Sequence, residues 1–428
     1  MLTWERVVKF SHQYGRDLGV CDRAWVEIDL EALAENVRHL KALLAPKTEF
    51  MAVVKADGYG HGAIPVAETV LAAGANALAV ATVDEGIELR QGGITAPILL
   101  LGANPSPQHI QSLVRWNLEP TLCDLDHAKM ISKMLARPLS QSTDEVTVAP
   151  LRVHVNLDTG MSRLGVPWTE AVSLLQELQG LPHLQLASLY SHFATADDPD
   201  PRTMQQQQQR FEAAIAQLHA AGIPLPKLHF ANSAATLCNR ASHYDQVRVG
   251  LALYGLYPAP HLRSQVKLRP VLQVKARITQ VKTIPPGTGV SYGHRFVSQR
   301  PTRLAVVGIG YADGVPRLLS NQLQGLLNAG GQVRRVPQVG SITMDQLMFD
   351  VTDLPDVKVA DVVTLLGSLG DESISADDWA NQLGTISWEI LCGFKHRLPR
   401  VQIRPHSGNQ TPIDSFNDPH LAFAEVEE

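Results

Sequence analysis

The sequence predicts an α/β protein in two parts, a (β/α)8 TIM-type barrel followed by a mostly β C-terminal domain. Three observations carry that expectation. At 428 residues the chain exceeds the length at which single cores stop growing. Strand-like and helix-like runs alternate over some two hundred residues. From about Lys267 that alternation gives way to strands with hardly a helix.

Taken in order, "RAWVEIDL" reads as a strand and "EALAENVRHLKALLA" as a helix. Eight strand candidates follow: "FMAVVK", "ALAVAT", "APILLLG", "LEPTLC", "LRVHVNLD", "LQLASLYSHFA", "KLHFAN" and "QVRVG". Between them lie "AIPVAETVLAAG", "HIQSLVRW", "PWTEAVSLLQELQG" and "RFEAAIAQLHAAG", apolar on a three-to-four spacing and closed by glycine at several ends. Parallel strands need such crossovers, so a closed barrel is the natural arrangement. The glutamine run at 205–209 fits an exposed helix face, since Gln is a good helix former. Beyond the barrel, "VLQVKARITQVKTI", "RLAVVGIGYA", "GQVRRVPQVGSITMDQLMFDV" and "VADVVTLLG" are strand-like, and a helix is expected around "DDWANQLGTISWEILCGF". The expected divisions are an N-terminal extension at 1–22, the barrel at 23–266, the β domain at 267–405 and a tail at 406–428.

Composition narrows the function classes. With 45% apolar and 18% charged residues the chain is an ordinary globular protein, and a net charge of −5 without a Lys/Arg cluster argues against nucleic acid. No stretch approaches the unbroken apolar length of a membrane span, and the N-terminus has no apolar core for export. Cys21, Cys123, Cys238 and Cys392 are scattered, with no metal-ligand or redox spacing, which fits a reducing cytoplasm.

The active site of such a barrel is built at the C-terminal ends of its strands. There "TEFMAVVKADGYGHGA" ends its apolar run on Lys55 and turns through a glycine-rich segment. A lysine desolvated at that rim loses preference for its charged form and becomes a nucleophile or base. Other strand ends supply Arg163 in "DTGMSRLG", His192 in "SHFATAD", Asn232 and Ser233 in "ANSAATL", and Arg248 in "VRVG". Each alone has a structural reading: a salt bridge, a core histidine, a helix cap. Five on one rim point to a site. Late barrel strands often hold phosphate through backbone N–H groups, and "ANSAATL" with Gly250 offers a hydroxyl and such a backbone. A phosphorylated cofactor that condenses with lysine is pyridoxal 5′-phosphate.

With these residues in place the sequence resembles the alanine racemase family of fold-type III pyridoxal-phosphate enzymes. The likeness runs from about Arg23 to Arg400 through "AVVKADGYGHG", "DTGMSRLG", "SHFATAD", "ANSAA", "VRVGLALYG", "VSYGHRF", "GYADGVPR" and "SITMDQ". It implies that Lys55 carries the cofactor as a Schiff base and serves as one catalytic base, with Tyr292 as the other. It implies that Arg163, Met344 and Tyr311 meet the substrate, and that His192 packs against the cofactor ring. Tyr59, Ser233, Gly250 and Leu251 match the phosphate contacts, Arg248 the partner of the pyridine nitrogen, and Asn232 and His396 the remaining cofactor positions. The family pattern further implies a head-to-tail homodimer in which Tyr292 and Met344 reach the other subunit's lysine, and a role in supplying D-alanine for peptidoglycan.

Two positions depart from the pattern. Asn156 stands where many relatives carry a carbamylated lysine, and a neutral amide can accept a hydrogen bond from Arg163 but brings no charge. His396 replaces a tyrosine that narrows the pocket, which keeps open a serine or broad-specificity racemase. Two more distant readings are a pyridoxal-phosphate-binding barrel protein without activity, which lacks the β domain, and a decarboxylase of the same fold type. A dinucleotide loop at "GIGYADG" is rejected because no clear helix opens at its last glycine.

Overall fold

The computed structural model describes residues 23–103, 106–136, 149–394 and 396–403. The expected extension at 1–22 and tail at 406–428 lie outside the described residues.

All eight expected barrel strands form: Glu49–Val53, Ala77–Val80, Ile98–Ala103, Glu119–Leu122, Leu151–Asp158, Leu184–Tyr190, Lys227–His229 and Gln246–Val249. Each pairs in parallel with its neighbours, and Val249 opposite Ala52 joins the last strand to the first, closing the cylinder. Runs such as "FMAV" and "ALAV" are buried throughout, as expected of strands covered on both faces. The expected helices form at Ala63–Ala72, Pro107–Arg115, Ala171–Gln179 and Arg202–Ala220.

The second part is built on one long strand, Leu272–Ile284, whose buried and half-buried residues alternate over its first half. It pairs antiparallel with Thr302–Val307, with Val362–Leu369 and with Ala24–Asp29. The last pairing corrects the expected division at residue 23. Ala24–Asp29 hydrogen-bonds into the C-terminal sheet, where it also pairs in parallel with Arg400–Ile403. The described chain therefore begins in the second domain's sheet, and Asp29, which accepts from Ala32 N (2.8 Å), caps the helix Leu30–Lys41 that leads to the barrel. The single helix expected near residue 380 is two, Ala376–Leu383 and Ser387–Gly393. Gly384 ends the first in a left-handed conformation (φ 68°).

Candidate active site

Lys55 follows the first barrel strand and opens a turn of unusual hand. Ala56, Asp57, Gly58 and Tyr59 all have φ between 53° and 60°, a left-handed helical turn that costs roughly 1–2 kcal/mol at each non-glycine residue. Three side-chain and backbone contacts offset that strain. Glu85 Oε1 accepts from Ala56 N (2.7 Å), Asp57 Oδ1 accepts from Ala63 N (2.7 Å), and Val54 O accepts from Gly58 N (2.9 Å). The glycines serve this turn more than a ligand: at Gly60 (φ 81°) an added Cβ would lie 2.7 Å from Leu391 O, so the turn packs against the backbone of helix Ser387–Gly393.

The turn places Lys55 in a cleft of about 590 Å³. Tyr59, Arg163, His192, Asn232, Ser233, Arg248, Gly250 and Leu251 line the same cleft. Nine expected site residues are thus brought together by one chain. Burial, then the nearby Arg163 charge, lowers the Lys55 pKa. Burial, followed by the charges of Arg248, Arg163 and Lys55, takes His192 down to about 3, so its ring is neutral.

Arg248 is buried at the floor of the cleft, and burial draws its pKa down to about 10, still protonated at neutral pH. Its two terminal nitrogens are fully engaged. Nη1 donates to His229 Nδ1 (2.8 Å) and His229 O (3.2 Å), while Nη2 donates to Ser191 O (2.6 Å), His192 Nδ1 (3.2 Å) and Phe230 O (3.3 Å). Nε–H makes no such bond among the described residues and remains available to the cleft. Because the guanidinium can only donate, His192 Nδ1 must accept, and the His192 proton sits on Nε2.

Across the cleft, Ser233 Oγ accepts from Gly250 N (2.9 Å) and Ala252 N (3.4 Å). A Cβ on Gly250 would lie 2.6 Å from the Tyr59 hydroxyl, so that hydroxyl closes directly over the glycine backbone. Leu251 N–H opens a 3₁₀ turn and has no acceptor within it. This is a cradle of backbone N–H groups flanked by two hydroxyls, the donor set a phosphate requires. The helix cap next to it is Asn232, whose Oδ1 accepts from Ala235 N (3.0 Å), leaving Ser233 free to turn inward. Lysine, a donor-only guanidinium and the cradle together fit pyridoxal 5′-phosphate.

Four expected site residues are not in this cleft. Tyr292 is 74% exposed and lines a separate hollow of about 860 Å³ on the second domain. Ser291 Oγ donates to Ser341 O and Ser341 Oγ to Tyr292 O (both 2.7 Å), fixing the turn that presents the phenol. Met344 and Tyr311 are also exposed, and their loops are joined by Tyr311 N to Thr343 O and Ala312 N to Met344 O (both 3.0 Å). His396 lies exposed on a turn beside Arg397, which pairs with Asp345 at 2.7 Å. Within one chain, His192 therefore does not meet Tyr292.

Asn156 could accept a hydrogen bond from Arg163, but no such bond forms among the described residues. Asn156 Nδ2 donates to Leu164 O (3.4 Å), and its buried Oδ1 has no hydrogen-bond partner among the described residues. Gln207 departs from the exposed face expected of the glutamine run. It is buried inside the helix Arg202–Ala220, donates to His192 O (3.0 Å) and accepts from Ala194 N (2.9 Å), so it pins the loop that carries His192. Sequence reasoning misses Glu85, Glu119, His154, Ser188 and His229. A polar residue inside an otherwise apolar strand is the available signal for the last three.

Family models cover almost all the described chain. The alanine racemase N-terminal domain matches residues 28–258 and the alanine racemase C-terminal domain residues 271–402. An alanine racemase of Synechocystis sp. is 60% identical over 381 residues, covering 89% of this chain and 99% of its own, and one of Nostoc sp. is 58% identical, covering 89% and 96%. Among solved structures, an alanine racemase of Clostridium difficile superposes with a TM-score of 0.83 at 34% identity, covering 91% of this chain and 97% of that one. The Bacillus anthracis alanine racemase with bound L-Ala-P gives 0.81 at 38%, covering 89% and 95%. With both domain models matched and such relatives matched over nearly their full lengths, the chain belongs to the alanine racemase family.

Proposed function

We propose that the chain interconverts L- and D-alanine with pyridoxal 5′-phosphate held on Lys55, acts as a cytoplasmic homodimer, and supplies D-alanine for peptidoglycan. The observation that carries this reading is the convergence of Lys55, the Arg248 Nε–H and the Ser233–Gly250 cradle in one cleft. When bound, the cofactor would acidify the α-proton of an amino acid attached to it. The protein's task is then to take that proton from one face and return one to the other.

Lys55 is the base on one side. Its lowered pKa increases the fraction of neutral amine available to accept a proton. Arg163, exposed at the cleft, is the cation for the substrate carboxylate. Tyr292 supplies the opposite face from a second copy of the chain, where its phenol would receive a hydrogen bond from His192 Nε2–H. His396, exposed on its turn, supports a wider pocket, so a racemase that also accepts serine is the second reading.

Borohydride reduction followed by peptide mapping is expected to label Lys55, and coupled assays to give D-alanine faster than D-serine. Tyr292→Phe should lower racemisation on the order of a hundred-fold or more, as for loss of a general base. Label at any other lysine, or a fully active Tyr292→Phe, would overturn the proposal.

A further inference from the structure

A chain of buried polar groups leads away from the cleft toward the opposite end of the barrel. His229 Nε2 lies 2.6 Å from Ser188 Oγ, Ser188 Oγ 2.6 Å from His154 Nδ1, and His154 Nε2 2.7 Å from Glu119 Oε2. The second carboxylate oxygen accepts from Arg152 Nε at 2.8 Å. Glu119, His154, Ser188, His229 and Arg248 are all nearly fully buried. Glu119 opens its strand, whereas Arg248 stands near the end of its own, so the chain spans the barrel from N-terminal rim to cleft.

The direction of every bond follows from its two ends. Arg248 only donates, so His229 Nδ1 accepts and its proton resides on Nε2. That proton goes to Ser188 Oγ. The Ser188 hydroxyl has two partners among the described residues, and since His229 Nε2 is a donor, its own proton must go to His154 Nδ1. His154 therefore carries its proton on Nε2 and donates to Glu119. Burial works to raise the Glu119 pKa but is outweighed by the bonds from His154 and Arg152, which leave it below the ordinary value and ionised. Both rings are neutral, since burial depresses His229 and His154 alike.

We propose that Glu119, His154 and Ser188 are positioning residues for Arg248, a one-directional hydrogen-bond chain that holds the guanidinium as a donor beneath the cofactor. The inference rests on the reading of Arg248 as the cofactor's ring partner. No carboxylate touches Arg248 among the described residues. Its direct partners are three carbonyl oxygens and two imidazole nitrogens, so among the described residues the chain is the bonded route by which a negative charge faces it. Tyr190 completes the seat: its ring stacks on His229 (4.8 Å, 9°) and lies beneath the Arg248 guanidinium (4.9 Å). A cation fixed on five acceptors has one orientation in which Nε–H points to the cleft, and each link fixes the proton of the next.

Two measurements test this. In the ¹⁵N-histidine-labelled full chain without cofactor, assigned through His154→Gln and His229→Gln, long-range ¹H–¹⁵N spectra should report both rings as neutral Nε2–H tautomers between about pH 6 and 8. A Nδ1–H tautomer or an imidazolium at either ring overturns the proposal. In the holoenzyme, Ser188→Ala should lower kcat about ten-fold, the cost of one buried hydrogen bond near 1.4 kcal/mol, with KM for alanine changed less than about two-fold. Its His154 Nδ1 resonance should shift as the bond from the Ser188 hydroxyl is lost, while Nε2 stays protonated against Glu119, and Ser188→Thr, which keeps the hydroxyl, should restore both readouts. A Ser188→Ala enzyme with unaltered kcat and an unaltered His154 Nδ1 resonance is the contrary result. Because tautomers are read without pyridoxal phosphate, a chain that never binds it would refute the proposed function while leaving this test readable.

Discussion

Single buried side chains set the response to acid. His61 is fully buried beneath the Lys55 turn, donates from Nδ1 to Tyr59 O (3.0 Å) and packs on the Tyr254 ring at 4.4 Å. Burial takes its pKa from 6.5 to about 4. The folded state therefore keeps His61 neutral, while the unfolded chain takes up a proton near 6.5. Its contribution is complete above that value and is lost as pH falls from 6.5 to about 4, amounting to roughly 3 kcal/mol. Urea denaturation of His61→Phe and wild type across that range should show a shallower fall for the variant. Parallel curves would contradict the assignment. Residues of this kind differ in how far sequence exposes them. Lys55 and Arg248 are legible because a charge at the end of an apolar run demands a reason. Gln207 is not, because five consecutive glutamines give no period, and only packing decides which of them turns inward to His192.

At the scale of elements, the eight barrel strands were legible because strands covered on both faces must be short and continuously apolar. The left-handed turn after Lys55 was not, since Ala56 and Tyr59 have no intrinsic preference for that region and the tolerance of Asp57 for it does not specify four such residues in a row. Its support comes from Glu85, 29 residues beyond Ala56, which reaches back from a helix start. Glu85 Oε1 accepts from Ala56 N, and Oε2 accepts from Ala81 N (2.7 Å) and Thr82 N (3.2 Å). A glutamine can accept at only one of these positions and would point an amide donor at the other. Glu85→Gln should therefore lower stability by about 1–2 kcal/mol in chemical denaturation. It should also release pyridoxal phosphate sooner on dialysis, since Lys55 stands at the head of the loosened turn. Unchanged stability together with unchanged retention would show that the turn holds itself.

For the whole molecule, the separation of Lys55 from Tyr292 is the decisive feature. One chain presents a cleft lined by Lys55, and a second hollow whose phenol faces outward with Met344, Tyr311 and Leu318 exposed on the same domain. The family resemblance implied that separation from the sequence, but the motifs by themselves give no physical reason for it. It arises because the chain leaves Leu272–Ile284, a strand of the second domain's sheet, for a separate hairpin of Gly289–Val290 and Phe296–Val297 whose turn carries Tyr292. A head-to-tail pair would complete two sites, each with the lysine of one copy and the tyrosine of the other. This arrangement makes a quantitative prediction for mixed dimers. In a dimer of Lys55→Ala with Tyr292→Phe, one site collects both defects and the other collects none. Equal amounts of the two inactive variants, dissociated and reassociated at random, should give half mixed dimers, each with one intact site. Racemase activity should thus recover to about a quarter of wild type. Sites completed within a single chain would leave every combination inactive, so an absence of recovery, with mixed dimers confirmed by differential tagging, would exclude the shared site.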